Sequence, residues 1–301
     1  MCRGFRREKK PMFPPKKILF PTDFSDRCTG AARFVEAVAG RFDAELTLLH
    51  VVEPADYLYG SLEFGGTSLN DYHAERLNQC RLKLDTYLSK ELEPFRVRRV
   101  LLEGDPAHRI VETAHNEEID LVMMPSHGFG PFRRFILGSV TAKVLHDVEC
   151  AVWTGVHMER APPLEQIGCH SVLCAVDLGP QSERSVRYAG QLAEEYGAEL
   201  RLIHATPVCE SRPGKYMDSE LYASISAKAR EEMEKLRDRA GVKAEVVLDG
   251  GDPATVAHAM AGKYKADLVV IGRGSAAGGF GRLRTHAYAI IRQSPCPVLS
   301  V

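Results

Sequence analysis

No apolar run in these 301 residues approaches the roughly 20 needed to cross a bilayer as a helix. The N-terminal MCRGFRREKKPMFPPKK is basic but lacks an apolar stretch of its own, so no secretory leader is expected. Residues 1–16 read instead as a basic, disordered tail. A basic surplus is missing too: 39 Lys and Arg stand against 40 Asp and Glu, a formal net charge of -1. That balance excludes a general nucleic-acid binder, which needs cationic excess to displace counterions. The eight cysteines form no CxxC pair and no Cys/His spacing suited to zinc, so no metal site is expected. Cys150, Cys174 and Cys296 lie in apolar runs, where a thiol behaves as a small hydrophobe. A reduced, cytoplasmic chain is the expectation. No GxxxxGK(S/T) segment occurs, which removes the P-loop nucleotide hydrolases.

What is present is a repeat. KKILFPTDFSDRCTGAARFVEAVAGRFDAELTLLHV lies over HSVLCAVDLGPQSERSVRYAGQLAEEYGAELRLIHA, pairing Asp23 with Asp177 and His50 with His204 at an offset of 154. Further on, EGDPAHRIVETAHNEEIDLVMM lies over DGGDPATVAHAMAGKYKADLVVI at an offset of 147, Gly104 on Gly251 and Asp120 on Asp267. An offset held over such lengths is the mark of a duplicated domain. The expected organisation is a tail (1–16), a first domain (17–156), a Pro-containing linker (157–169) and a second domain (170–301). The first copy has extra residues in PADYLYGSLEFGGTSLN.

Each copy alternates two patterns. ILFPTDF, LTLLHVV, RRVLLEG, DLVMM and CAVWTGV are short β-branched apolar runs, expected as strands buried on both faces. Between them, Phe34, Val35, Val38, Ala39 and Phe42, then Leu77, Cys80, Leu84, Tyr87 and Leu88, recur at helical steps. Asp105-Pro106 and Asp252-Pro253 read as an N-cap followed by proline at the first helical position. Strand and helix in alternation predict an α/β fold, two tandem parallel sheets with helices on both faces.

ILFPTDFSD, LTLLHVVE, GDPAHRIVETA and DLVMMPSHGFGPFRRFILGSVTAKVL together resemble the universal stress protein family, over nearly all of 17–156 and again over about 170–301. The resemblance implies doubly wound, Rossmann-like five-stranded sheets in the order 3-2-1-4-5. It also implies an adenine-nucleotide site, for ATP and accompanying Mg²⁺, in the crevice where that order reverses. The residues it implies in the first domain are Pro21, Thr22 and Asp23 after strand one, with Val51 and Met124 against the base. Ser126, His127 and Gly128 would cradle ribose and phosphates, and Gly138, Ser139 and Val140 would offer donors at a helix start. Asp23 has a plainer role open to it, as helix cap, with Ser25 competing. Arg133 and Arg134 read as a solvated face.

One position departs from the family's Gly-x2-Gly-x9-Gly-(S/T) spacing. Pro125 stands at its first glycine, removing an N–H donor and forbidding positive φ. In the second domain Gly272 keeps that glycine, but Ser275, Thr285 and His286 replace Gly128, Gly138 and Ser139. A weaker site at Asp177, Gly272, Ser275 and Thr285 is therefore expected there.

The reading that follows is a stress-response sensor that binds ATP or a related nucleotide and signals occupancy to protein partners. A scaffold without nucleotide, and a slow ATPase or autokinase, are the alternatives; catalytic residues are not assigned. A phosphorelay receiver shares the fold plan but needs an acidic cluster after strand one and a phosphoryl-accepting Asp after strand three. The last strands, AVWTG and CPVLSV, would leave apolar edges, answered by an internal pseudo-dimer of the two domains or a homodimer.

Overall fold

The computed structural model describes residues 13–54, 69–126, 137–155, 162–207, 219–273 and 285–301. The chain divides into two units, the second taking up Glu165–Val301. In the first, β1 (Lys17–Pro21), α1 (Asp26–Phe42), β2 (Glu45–Val52), α2 (Leu69–Thr86) and β3 (Val97–Glu103) come first. They are followed by α3 (Pro106–Asn116), β4 (Leu121–Met123), α4 (Ser139–Asp147) and β5 (Ala151–Thr154). The strands lie in the order β3-β2-β1-β4-β5. β1 pairs in parallel with β2 (Phe20 opposite Leu48) and with β4 (Leu19 opposite Val122).

The second unit repeats the plan. β6 (Ser171–Ala175), α5 (Ser182–Tyr196), β7 (Glu199–Thr206), α6 (Ser219–Ala240) and β8 (Glu245–Gly250) precede α7 (Pro253–Lys263), β9 (Leu268–Ile271), α8 (Thr285–Gln293) and β10 (Val298–Ser300). Their order is β8-β7-β6-β9-β10, and every pair in it is parallel. In each unit the winding reverses beside the first strand, which opens a crevice at the carboxyl ends of β1 and β4, and of β6 and β9.

The sheets are held by apolar burial. Ile18, Leu19 and Phe20 of β1 are fully buried, as are Val172, Leu173 and Cys174 of β6. The outer strands β3 and β8 depart from the expected two-sided burial: their residues are half-buried or exposed, because among the described residues each has no neighbouring strand on its outer flank. β5 and β10 are buried throughout. Helix α1 turns Cys28, Ala31, Ala32, Val35, Val38, Ala39 and Phe42 inward. The expected Phe34 is only half-buried, since the small Ala31 and Ala32 take the innermost line. Helix α2 stops at Thr86, short of the expected Tyr87 and Leu88. There Leu88 adopts φ 53°, and the Arg99 guanidinium takes the carbonyls of Leu84 and Tyr87 at 2.9 and 3.0 Å.

The caps follow the sequence. Asp105 accepts the His108 N–H at 2.7 Å, and Asp252 those of Ala254 and Thr255 at 3.0 and 3.2 Å, each with proline at the start of its helix. Of the linker, Leu164–Gln166 forms a single 3-10 turn. Among the described residues no helix is long and apolar enough to cross a membrane.

Candidate functional site

The crevice of the first unit begins where β1 ends. The Thr22 N–H still donates to Leu49 O at 2.8 Å, as if β1 continued. The chain then turns sharply, with Phe24 at φ 62°. Two short side chains hold that turn: Thr22 Oγ1 accepts the Phe24 N–H and Asp23 Oδ1 the Ser25 N–H, both at 3.0 Å. Ser25, not Asp23, caps α1, its Oγ accepting the Cys28 N–H at 3.3 Å. Asp23 is thereby free of capping duty. Its Oδ1 also accepts the Cys28 thiol at 3.1 Å. Burial, then the negative charge of Asp23, push that thiol up to about 12. It is a donor that keeps its proton, not a nucleophile.

His50 fastens the same turn from β2. Its Nδ1–H donates to Thr22 O at 2.7 Å, and the Phe24 ring lies 4.2 Å from its own. Desolvation by burial, the leading cause, holds the imidazole below its ordinary value, so the neutral form is favoured. The Lys83 ammonium covers the Phe24 ring at 4.7 Å. The second unit repeats the arrangement: His204 Nδ1–H to Val176 O at 2.7 Å, Leu178 at φ 56°, and the Gly179 N–H on Asp177 Oδ1 at 2.8 Å. Ser182 Oγ donates to Asp177 Oδ1 at 2.8 Å, in the place of the Cys28 thiol.

The opposite wall comes from β4 and α4. Met124, Pro125 and Ser126 are buried in sequence after Met123. Ser126 O accepts the Gly138 N–H at 2.9 Å, drawing the two ends of the intervening loop together. Thr141 Oγ1 donates to Pro125 O at 3.2 Å, fixing α4 against that wall. Gly138 is the N-cap of α4, and no side chain caps it. Among the described residues the helix start thus carries no side-chain cap, and the positive end of its dipole suits an anion. Ser139 is exposed there and Val140 half-buried, while Val51 is half-buried near the end of β2.

Topology thus brings Pro21, Thr22, Asp23, Met124, Ser126, Gly138, Ser139 and Val140 to the ends of two adjacent strands. His127, Gly128, Arg133 and Arg134 lie outside the described residues, as do Ser275 and the side chain of Thr285. Sequence reasoning missed Cys28 and Thr141. The alignment of Cys28 with Ser182 was the available signal for the first; nothing marked the second. Among the described residues no cluster of His, Cys, Asp and Glu suits a metal ion.

The second unit explains the proline. Gly272, at the counterpart of Pro125, does not sit at positive φ, and a Cβ there would meet Ser185 Oγ at 2.7 Å. Glycine is therefore favoured at 272 by the Ser185 hydroxyl packed over it, not by a special backbone conformation. In the first unit the counterpart of Ser185 is Ala31, fully buried and one hydroxyl smaller. Next to Gly272, Arg273 is 6% exposed where the first unit has Ser126, and its N–H bonds Val301 O at 2.9 Å.

Comparisons with known proteins agree with this fold. A universal stress protein of Methanocaldococcus jannaschii is 34% identical over 142 residues, 43% of this chain and 88% of its own length. A second from that organism is 32% identical over 46% of this chain. The solved structure of a universal stress protein from Archaeoglobus fulgidus superposes over 96% of this chain and 98% of its own, at 22% identity with a TM-score of 0.71. The universal stress protein family matches residues 14–154 and again residues 169–301, and the chain belongs to that family as a tandem of two such domains.

Proposed function

We propose that the first unit binds an adenine nucleotide, ATP foremost, and that the chain serves as a cytoplasmic stress-response sensor whose occupancy is read by protein partners. The observation that carries this reading is the uncapped start of α4, tied by the Gly138 N–H to the buried Ser126 beside β4. An open helix start next to a strand end suits a phosphate chain. Asp23, relieved of capping by Ser25, has an oxygen to offer ribose hydroxyls or the adenine amino group. Val51 and Met124 supply apolar surface for the base. His127 and Gly128 belong to the same proposal, as does Mg²⁺ held by the triphosphate rather than by a cluster of protein ligands. The Pro125 ring removes one donor, and the residue that aligns with Ser185 in this unit is the smaller Ala31, so the ring does not oppose the reading.

A second site at Asp177, Gly272, Ser275 and Thr285 is the weaker member of the proposal. The buried Arg273 in place of Ser126 favours one nucleotide per chain. Isothermal titration of the full chain with MgATP tests both points: a stoichiometry near one supports the first site alone, and no heat at millimolar ATP removes the sensor reading in favour of a scaffold. We take the tandem to be an internal pseudo-dimer, with homodimerisation of the whole chain as its extension; light scattering on the eluted protein decides the latter.

A further inference from the structure

Helix α4 carries a cation that the proposed site does not use. The Lys143 ammonium contacts Asp105 Oδ1 at 3.2 Å, and Asp105 also caps α3 by accepting the His108 N–H at 2.7 Å. Lys143 lies four residues beyond Ser139, so the two share a helix face about 6 Å apart along the axis. Side chains on a helix lean toward its N-terminus. A lysine stem at 143 therefore leads back toward the open first turn at Gly138 and Ser139, where side-chain capping is absent. Both ends of the existing contact are about half exposed, 51% for Lys143 and 54% for Asp105. Such a pair is weakly held and readily exchanged.

The second unit makes the same link differently. Asp252, the cap of α7, is approached by His286 Nδ1 at 3.7 Å. His286 sits at the counterpart of Ser139, so in that unit the side chain that approaches the cap stands at the helix start itself. The first unit has Ser139 at that position and holds a long, flexible cation one turn behind it.

We propose that Lys143 reads the length of the phosphate chain: its ammonium leaves Asp105 for the terminal phosphate of a nucleoside di- or triphosphate and finds no partner on a monophosphate. This rests on the nucleotide reading of the first unit. Asp105 keeps the His108 N–H throughout, so α3 stays capped while its tie to α4 is released. Occupancy by a long phosphate chain thereby differs from occupancy by a short one in how α3 and α4 are joined.

The test is isothermal titration of the full chain with ATP, ADP and AMP, comparing the wild type with Lys143→Met, Lys143→Arg and Asp105→Asn. Asparagine caps a helix as well as aspartate does, so Asp105→Asn removes the competing charge without uncapping α3. Lys143→Met should weaken ATP about tenfold, the loss of one bond to a charged group, with AMP unchanged. Lys143→Arg should restore the ratio, and Asp105→Asn should tighten ATP about two- to fivefold, as expected for losing an exposed competing pair. An ATP-to-AMP ratio unaltered by Lys143→Met overturns the inference and leaves the nucleotide site standing. A wild type that binds none of the three overturns both.

Discussion

The Cys28 thiol donates to Asp23 Oδ1 at 3.1 Å, and Ser182 Oγ does the same for Asp177 at 2.8 Å. Two different side chains thus donate to the corresponding carboxylate in two copies of one domain. With its proton held to about 12, Cys28 is interchangeable with serine as a donor. Cys28→Ser should alter stability by less than about 1 kcal/mol, and Cys28→Val, which leaves Asp23 one donor short, by about 1–3 kcal/mol. Thermal unfolding measures both. MgATP titration should show the valine variant weakened beyond the serine one.

The pair formed by Gly272 and Ser185 gives a second expectation. Gly272→Ala pushes a methyl to 2.7 Å from the Ser185 hydroxyl, and overpacking of this kind costs about 1–3 kcal/mol. Ser185→Ala, which copies Ala31, should recover most of that loss in the double variant. In the first unit Pro125→Gly should lower stability by about 0.4–1 kcal/mol through the freer unfolded chain. Nucleotide affinity should stay within about twofold, or about 0.4 kcal/mol. A tenfold gain on Pro125→Gly would mean that the missing N–H matters after all.

His50 supplies a pH dependence. Burial lowers its folded value below the ordinary 6.5, so the unfolded chain takes up the proton first as pH falls. The unfolded state then binds more protons, and stability decreases as pH is lowered. This contribution is complete above about 6.5 and is lost as pH drops through the lowered folded value. His50→Gln removes this slope while keeping a donor for Thr22 O. Urea midpoints of the two proteins between pH 5 and about 7.5 should converge at the acid end.

Much of this was readable from the residues, and what was not has a physical cause. Alternating apolar runs and the two Asp-Pro caps fixed the order of elements, because burial and capping are local demands that leave local marks. The reversal beside β1 came with the family likeness carried by PTDFSD and the glycine spacing. Burial of β3 was overestimated from VLL, since periodicity does not reveal which strand ends a sheet. Asp23 is legible in the sequence as a site residue or as a cap, because Ser25 and Asp23 are equally good capping residues; only the turn at Phe24 decides which of them caps. Pro125 looked like a defect in the site because the residue that aligns with Ser185, Ala31, lies more than 90 residues away in sequence. Lys143 bore no mark at all, since a lysine on a helix is ordinarily a solvated side chain.

The last prediction concerns the amino ends of the strands, opposite the crevice. Asp120 Oδ2 accepts the N–H groups of Lys16 and Lys17 at 3.0 and 3.1 Å, and Asp120 is 3% exposed. The second unit repeats this with Asp267 Oδ2 on the N–H groups of His170 and Ser171 at 2.7 and 3.0 Å. The main chain of Asp120 binds Lys17 O at 3.0 Å and the Ala151 N–H at 3.2 Å. One buried residue therefore ties the starts of β1, β4 and β5, and its carboxylate answers two N–H groups that precede the first rungs of the ladder. Asp120→Ala leaves both without their acceptor at a part-buried site, a loss of about 1–3 kcal/mol. Asp120→Asn keeps an acceptor oxygen without the charge and should fall between alanine and wild type. Because the clamp lies at the far end of the sheet from Gly138, urea unfolding should register the loss. MgATP affinity of the protein that remains folded should not change, and a parallel fall in affinity would show that the two ends of the sheet are coupled.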